Sequence, residues 1–165
     1  MSDKIYNVLV LCTGNSARSI LGEVLFNTLG QGKFRAWSAG SQPAGQVNPA
    51  ALALLHELNL PTEGLRSKSW DEFAAPDAPV FDFIFTVCDR AAGESCPIWP
   101  GNPTTAHWGI PDPAHVEPEE ARRQAFRRAH AQLATRIRLF MALPIDKLDR
   151  MALKEQLAAI GHTQD

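Results

Sequence analysis

The chain has 165 residues, of which 45% are hydrophobic and 21% charged, with a net charge of −2. That length suits one domain with a sizeable core. The near-neutral balance argues against a basic nucleic-acid surface or a disordered tail, and no apolar run approaches the roughly 18 residues of a membrane span.

Residues 5–11 are a short apolar run that reads as a central strand. They are too short for a secretory signal and no small-residue cleavage site follows, so a cytoplasmic protein is expected. Residues 17–29 carry Ile20, Leu21, Val24, Leu25 and Leu29 at helical spacing, and Gly30 and Gly32 end that helix. Residues 34–38 are a second strand closed by Gly40. Asn48 and Pro49 read as N-cap and first residue of a helix running to about residue 58. A short helix is expected at 70–74 and a strand at 80–87, apolar except for Asp82, the composition of a strand buried on both faces. Residues 89–103 are a loop rich in Pro and Gly, 106–108 a brief edge strand, and 117–143 a long helix stopped by Pro144. Residues 146–160 form one further short helix. Alternating strand and helix imply an α/β sandwich around a parallel sheet. Ligands bind such sheets beyond the carboxyl ends of the strands, the edge toward which Cys12, Cys88 and Asp112 fall.

Residues 12–19 read Cys-Thr-Gly-Asn-Ser-Ala-Arg-Ser between the first strand and the first helix. Successive N–H groups of Thr13, Gly14, Asn15, Ser16, Ala17, Arg18 and Ser19, with the positive end of the helix behind them, suit a tetrahedral oxyanion. Gly14 permits the turn, and Arg18 offers a bidentate fork to two oxygens. The same field activates the Cys12 thiol, toward which Ser19 can donate. The bland alternative is a buried cysteine at a strand end with a surface arginine. No Gly-Lys-Ser/Thr is present, so the loop is not a Walker motif. The chain's three cysteines cannot all pair in a structural framework, so they are expected to be reactive or buried.

This loop resembles the active-site loop of low-molecular-weight protein tyrosine phosphatases, and more closely that of the arsenate reductases built on the same fold. Further stretches carry the resemblance: Ser38-Ala39-Gly40-Ser41, Thr86-Val87-Cys88-Asp89, Cys96-Pro97, and His107-Trp108-Gly109 followed by Asp112-Pro113. Together they cover residues 5–143. The phosphatases follow the acid and its Pro with a Tyr that stacks on the substrate ring. Here Ala114 follows Pro113, and the chain's single tyrosine is Tyr6. The phosphatases also lack a cysteine at the position of Cys88. Both departures favour a small inorganic substrate.

The resemblance implies a three-layer α/β sandwich with a central four-stranded parallel sheet in the order 2-1-3-4. That domain spans residues 1–144, and residues 145–165 form an extension packing on it or on a partner subunit. It implies an arsenate reductase in which Cys12 attacks arsenate, Arg18 and the loop amides hold the oxygens, and Asp112 is the general acid. Cys88 then attacks Cys12, and Cys96 resolves the disulfide as residues 89–103 move. The external reductant is thioredoxin or glutathione with glutaredoxin. Cys88 and Cys96 stand eight apart, one more than in the thioredoxin-coupled pattern, so interception by glutathione stays open. Position 17 is Ala, where relatives often carry a second loop cysteine. Some related reductases hold a potassium ion near the residue matching Asn15, with Glu23 and Ser38 as neighbours; loop scaffolding without metal is the equal alternative.

No other metal site is expected, since the histidines lack ligand spacing. His107 reads as structural, and Trp99 either packs or helps dock the redox partner. Expected partners are a phosphate-like oxyanion and the thiol reductant, with no nucleic acid or membrane, on a monomer or weak homodimer. Two other activities remain: hydrolysis of small phosphoesters by the same Cys12, Arg18 and Asp112, and a non-catalytic oxyanion- or arsenic-binding regulator.

Overall fold

The computed structural model describes residues 4–88 and 101–162. Four strands, β1 (Tyr6–Cys12), β2 (Phe34–Gly40), β3 (Phe83–Thr86) and β4 (Thr104–His107), form one sheet in the order β2-β1-β3-β4. Every pairing is parallel. The α-helices among the described residues are α1 (Arg18–Leu29), α2 (Pro49–Glu57), α3 (Glu119–Met141) and α4 (Arg150–Gly161). This is the expected sandwich and strand order.

β1 lies inside the sheet and is buried from Val8 through Cys12, which accounts for its unbroken apolar run. Its side chains alternate between faces with the strand period of two. Val8 and Val10 join a core with residues of all four helices, including Phe26, Phe126, Phe140 and Leu157. Within it the Phe85 and Trp108 rings stack with centroids 4.0 Å apart. Leu9 and Leu11 face the other side, covered by Trp70, Phe73 and Phe81. Residues 70–74, expected as a short helix, form a 3₁₀ turn over Trp70–Phe73, capped by Ser69 Oγ accepting from the Asp71 N–H.

α2 starts as its cap predicts: Asn48 Oδ1 accepts the Ala50 N–H, and Pro49 is the first helical residue. β3 is shorter than the expected 80–87. Asp82 Oδ2 takes the Asn7 N–H at 2.9 Å and the Asn7 amide bonds the Val80 carbonyl, beside backbone bonds from the Asp82 N–H to Asn7 O and from the Thr104 N–H to Asp82 O. β4 starts two residues earlier than expected, on half-buried Thr104 and exposed Thr105, as an edge strand tolerates. α3 begins at Glu119 rather than 117, after Pro118. The helix expected from 146 is divided: a 3₁₀ turn covers Ile145–Lys147, and α4 begins after Asp149, whose Oδ1 accepts the Ala152 N–H. Leu153, Leu157 and Ile160 of α4 are buried, and Leu157 O accepts the indole N–H of Trp108 at 2.9 Å. No helix among the described residues is long and apolar enough to cross a membrane.

Candidate active site

Cys12 ends β1, opposite Gly40 at the end of β2. The chain then turns through residues 13–17 into α1. Gln42 and Ala44 donate their N–H groups to the carbonyls of Thr13 and Gly14, and Asn48 donates to that of Ser16, each at 2.9 Å. Ser67 Oγ adds a bond to Gly14 O at 3.1 Å. In a planar trans peptide the N–H points opposite to the preceding C=O. Carbonyls held from outside at 13, 14 and 16 therefore turn the N–H groups of Gly14, Asn15 and Ala17 inward, as an oxyanion cradle requires. Gly40 makes this packing possible. A Cβ there would lie 2.7 Å from the Cys12 carbonyl oxygen and closer still to that of Thr13.

Asn15, at φ 44°, adopts the left-handed conformation that Asn tolerates better than most residues. Fully buried, it is held at both polar atoms of its side chain. Its Nδ2 donates to Ser19 Oγ at 2.8 Å and Ser38 Oγ at 3.0 Å, and its Oδ1 accepts the Lys68 N–H at 2.9 Å. Ser38 in turn donates to Glu23 Oε1 at 2.6 Å.

Cys88 follows β3 by two residues and is 3% exposed. Its sulfur accepts the Thr13 N–H at 3.3 Å, lies 3.5 Å from Thr13 Oγ1, and shares a hydrogen bond with Cys12. Both thiols are free. The Cys88 hydrogen bond and burial push the Cys12 thiol up from its ordinary range, while the Arg18 guanidinium and the Gly14 N–H pull it down. The two buried sulfurs thus compete for one negative charge.

Arg18 opens α1. Its Nη1 donates to Ile110 O at 2.9 Å, and its Nη2 lies 3.6 Å from Asp112 Oδ2. Asp112 Oδ1 accepts the Ala114 N–H at 2.9 Å, fixing the carboxyl in its own turn. The same segment is tied from behind, where buried Arg136 donates to the carbonyls of Trp108 and Gly109. Cys12, Cys88, Arg18 and Asp112 therefore meet at the carboxyl edge of the sheet. Cys96 and Trp99 lie outside the described residues. His107 Nδ1 contacts Thr86 Oγ1 at 2.7 Å. Tyr6 stacks on Phe34 at the opposite end of β1, so it offers no aromatic wall beside Asp112.

Sequence reasoning missed Lys68. Its side chain is 6% exposed, and its Nζ lies 3.6 Å from Glu23 Oε1. Nothing in the local run Arg66-Ser67-Lys68-Ser69 marks it as buried. This lysine bears on the potassium ion that the resemblance allows. Glu23 already faces an ammonium, and Asn15 Oδ1 already accepts the Lys68 N–H. The residues present do not fit a bound potassium.

Comparison with known proteins shows the family. A family model described as low molecular weight phosphotyrosine protein phosphatase matches residues 7–156. A Halalkalibacterium halodurans protein named arsenate reductase is 33% identical over 134 residues, covering 81% of this chain and 93% of its own length. A solved arsenate reductase from Archaeoglobus fulgidus is 32% identical, with a TM-score of 0.61 over 79% of this chain and 94% of that one. A thioredoxin-dependent arsenate reductase of Corynebacterium glutamicum has a TM-score of 0.63 at 20% identity, over 89% of this chain and 66% of that one, a likeness of fold alone.

Proposed function

The chain belongs to the low-molecular-weight phosphotyrosine protein phosphatase family, and from that premise we propose that it reduces arsenate to arsenite through a thiol relay. The observation that carries this reading is the second buried thiol, Cys88, in hydrogen-bond contact with Cys12 at the mouth of the loop. Hydrolysis of a phosphoenzyme needs only a water in line on phosphorus, opposite the Cys12 sulfur; a reduction needs a second sulfur within reach of the Cys12 sulfur itself. Relatives named arsenate reductase support the same direction. Ala114 after Pro113 removes the wall an aryl ester would stack on.

Arsenate enters the cradle made by the amides of residues 13–19 and draws the Arg18 fork toward its oxygens. The Cys12 thiolate attacks arsenic, a sulfur–arsenic bond forms, and one oxygen departs as water with a proton from Asp112. The Cys88 thiolate, stabilised by the Thr13 N–H, attacks the Cys12 sulfur. A sulfur–sulfur bond forms, the sulfur–arsenic bond breaks, and its electron pair stays on arsenic, which leaves as arsenite. The Cys96 thiolate then attacks Cys88, making Cys88–Cys96 and freeing Cys12. An external dithiol, from thioredoxin or from glutathione with glutaredoxin, reduces that last bond. The protein works in a reducing compartment, the cytoplasm, where such donors are held.

Arsenite release tests this directly in two coupled assays, one with thioredoxin, its reductase and NADPH, the other with glutathione, glutaredoxin, glutathione reductase and NADPH. Turnover in the thioredoxin assay, abolished by Cys12→Ser and Cys88→Ser, is the expected result. Turnover in the glutathione assay alone would replace Cys96 by glutathione as resolver. Silence in both, with reduced enzyme and active controls, would sink the reductase reading.

A further inference from the structure

Behind the loop lies a buried ion pair that the proposed reaction does not touch. Lys68 Nζ sits 3.6 Å from Glu23 Oε1 and donates to Arg66 O at 3.1 Å. The Glu23 side chain is 15% exposed, and its Oε1 also accepts the Ser38 hydroxyl. Ser38 accepts from Asn15 Nδ2, and Asn15 Oδ1 accepts the Lys68 N–H. The network is closed: Lys68 grips Glu23 with its ammonium and Asn15 with its backbone. Asn15, one of those two ends, is the loop residue with a left-handed backbone.

A largely buried carboxylate needs a countercharge, because losing water costs more than neutral hydrogen bonds return. Lys68 is the cation that supplies it. Burial pulls the lysine pKa down, and the Glu23 charge opposes that pull.

We infer that the Lys68 ammonium is the resident cation of the loop's support. It takes the place of a bound monovalent ion and, through Glu23, Ser38 and Asn15, positions the amides that hold the oxyanion. Lys68 is a positioning residue, since it acts through Asn15 rather than on the substrate. The inference deepens the proposed function and rests on its reading of the loop as the oxyanion site; the cation's structural part does not depend on it.

The test compares the wild-type chain with Lys68→Ala and Lys68→Met in potassium, sodium and choline chloride at equal ionic strength. Melting temperature and affinity for inorganic phosphate are read in each. The wild type is expected to behave alike in all three salts. Both variants are expected to melt lower and to bind phosphate about tenfold more weakly in choline, the scale of a lost outer-shell partner. Alanine opens the space, so potassium raises both readouts for Lys68→Ala. Methionine fills the space without charge, so Lys68→Met gains nothing from potassium. A specific potassium response of the wild type, variants equal to wild type in choline, or no potassium gain by a folded Lys68→Ala would overturn the inference. Should Lys68→Ala fold in no salt, Lys68→Met decides: unchanged phosphate affinity refutes the positioning role, and the tenfold loss upholds it. Absence of phosphate binding by the wild type would instead refute the oxyanion site, with the melting data still reporting on the cation.

Discussion

Cys12 sits between opposing influences. Cys88 and burial hold its proton on, while Arg18 and the Gly14 amide favour the thiolate. Replacing Cys88 by Ala removes the largest influence that raises the thiol. The thiolate fraction of Cys12 at neutral pH is then expected to rise about tenfold or more, one pKa unit being a factor of ten. A titration of thiolate absorbance in the Cys96→Ser background measures it; an unchanged titration would contradict the shared hydrogen bond. The sign of the linked stability follows. The folded state holds this proton more tightly than the unfolded chain does. Stability is therefore full below the ordinary thiol range and falls as pH rises through and above it. Denaturant melts across that range should show the fall in the Cys96→Ser chain, and a smaller one after Cys88→Ala. Asp112 belongs to the same scale. Its carboxyl is fixed by the Ala114 N–H and faces Arg18, so the proposed acid is placed before substrate arrives. Asp112→Asn keeps the turn's acceptor and loses the proton. Arsenite turnover is expected to drop about 10²- to 10⁴-fold, the usual contribution of a positioned acid.

Elements hold these residues together through close backbone approach and through side chains that bond backbone carbonyls. Gly40 at the end of β2 lets the Cys12 and Thr13 carbonyls pass where a methyl group would stand. The obstructing atoms are backbone, so they cannot rotate away. Gly40→Ala is expected to cost about 1–3 kcal/mol, the scale of overpacking, and to weaken phosphate binding, read by urea melts and calorimetry. On the far side, α4 and α3 tie down the segment that carries the acid. Trp108 bonds Leu157 O, and Arg136 bonds the Trp108 and Gly109 carbonyls. Leu157 is fully buried beneath that contact. Leu157→Ala is expected to destabilise by about 2–5 kcal/mol, seen as a lower urea midpoint with an unchanged slope. A change below about 0.5 kcal/mol would show that α4 is peripheral to the core.

Across the whole molecule, what was legible in the sequence followed local chemistry. The apolar run into Cys12, the Gly and Arg of the turn, and the amphipathic helix behind it declare a strand–loop–helix oxyanion site. Asn48-Pro49 declares its helix by capping. The order of the strands is a tertiary fact, and only resemblance pointed to it. β3 starts at Phe83 rather than 80, where the Asp82 carboxylate meets the Asn7 N–H beside the backbone bonds, a detail no periodicity reveals. Lys68 was invisible for a stronger reason: its neighbours are polar, and its burial arises when the chain after α2 closes over the loop. Cys96, which completes the proposed relay, lies outside the described residues. What the fold supplies is convergence, since β1, α1, the turn after β3 and the segment after β4 deliver two thiols, a guanidinium and a carboxyl to one edge.

The most direct measurement is a single turnover of the reduced Cys96→Ser chain with arsenate and no external thiol. The relay predicts stoichiometric arsenite and a Cys12–Cys88 disulfide, found by mass mapping of alkylated peptides. Intact arsenate with both thiols still alkylatable would contradict it.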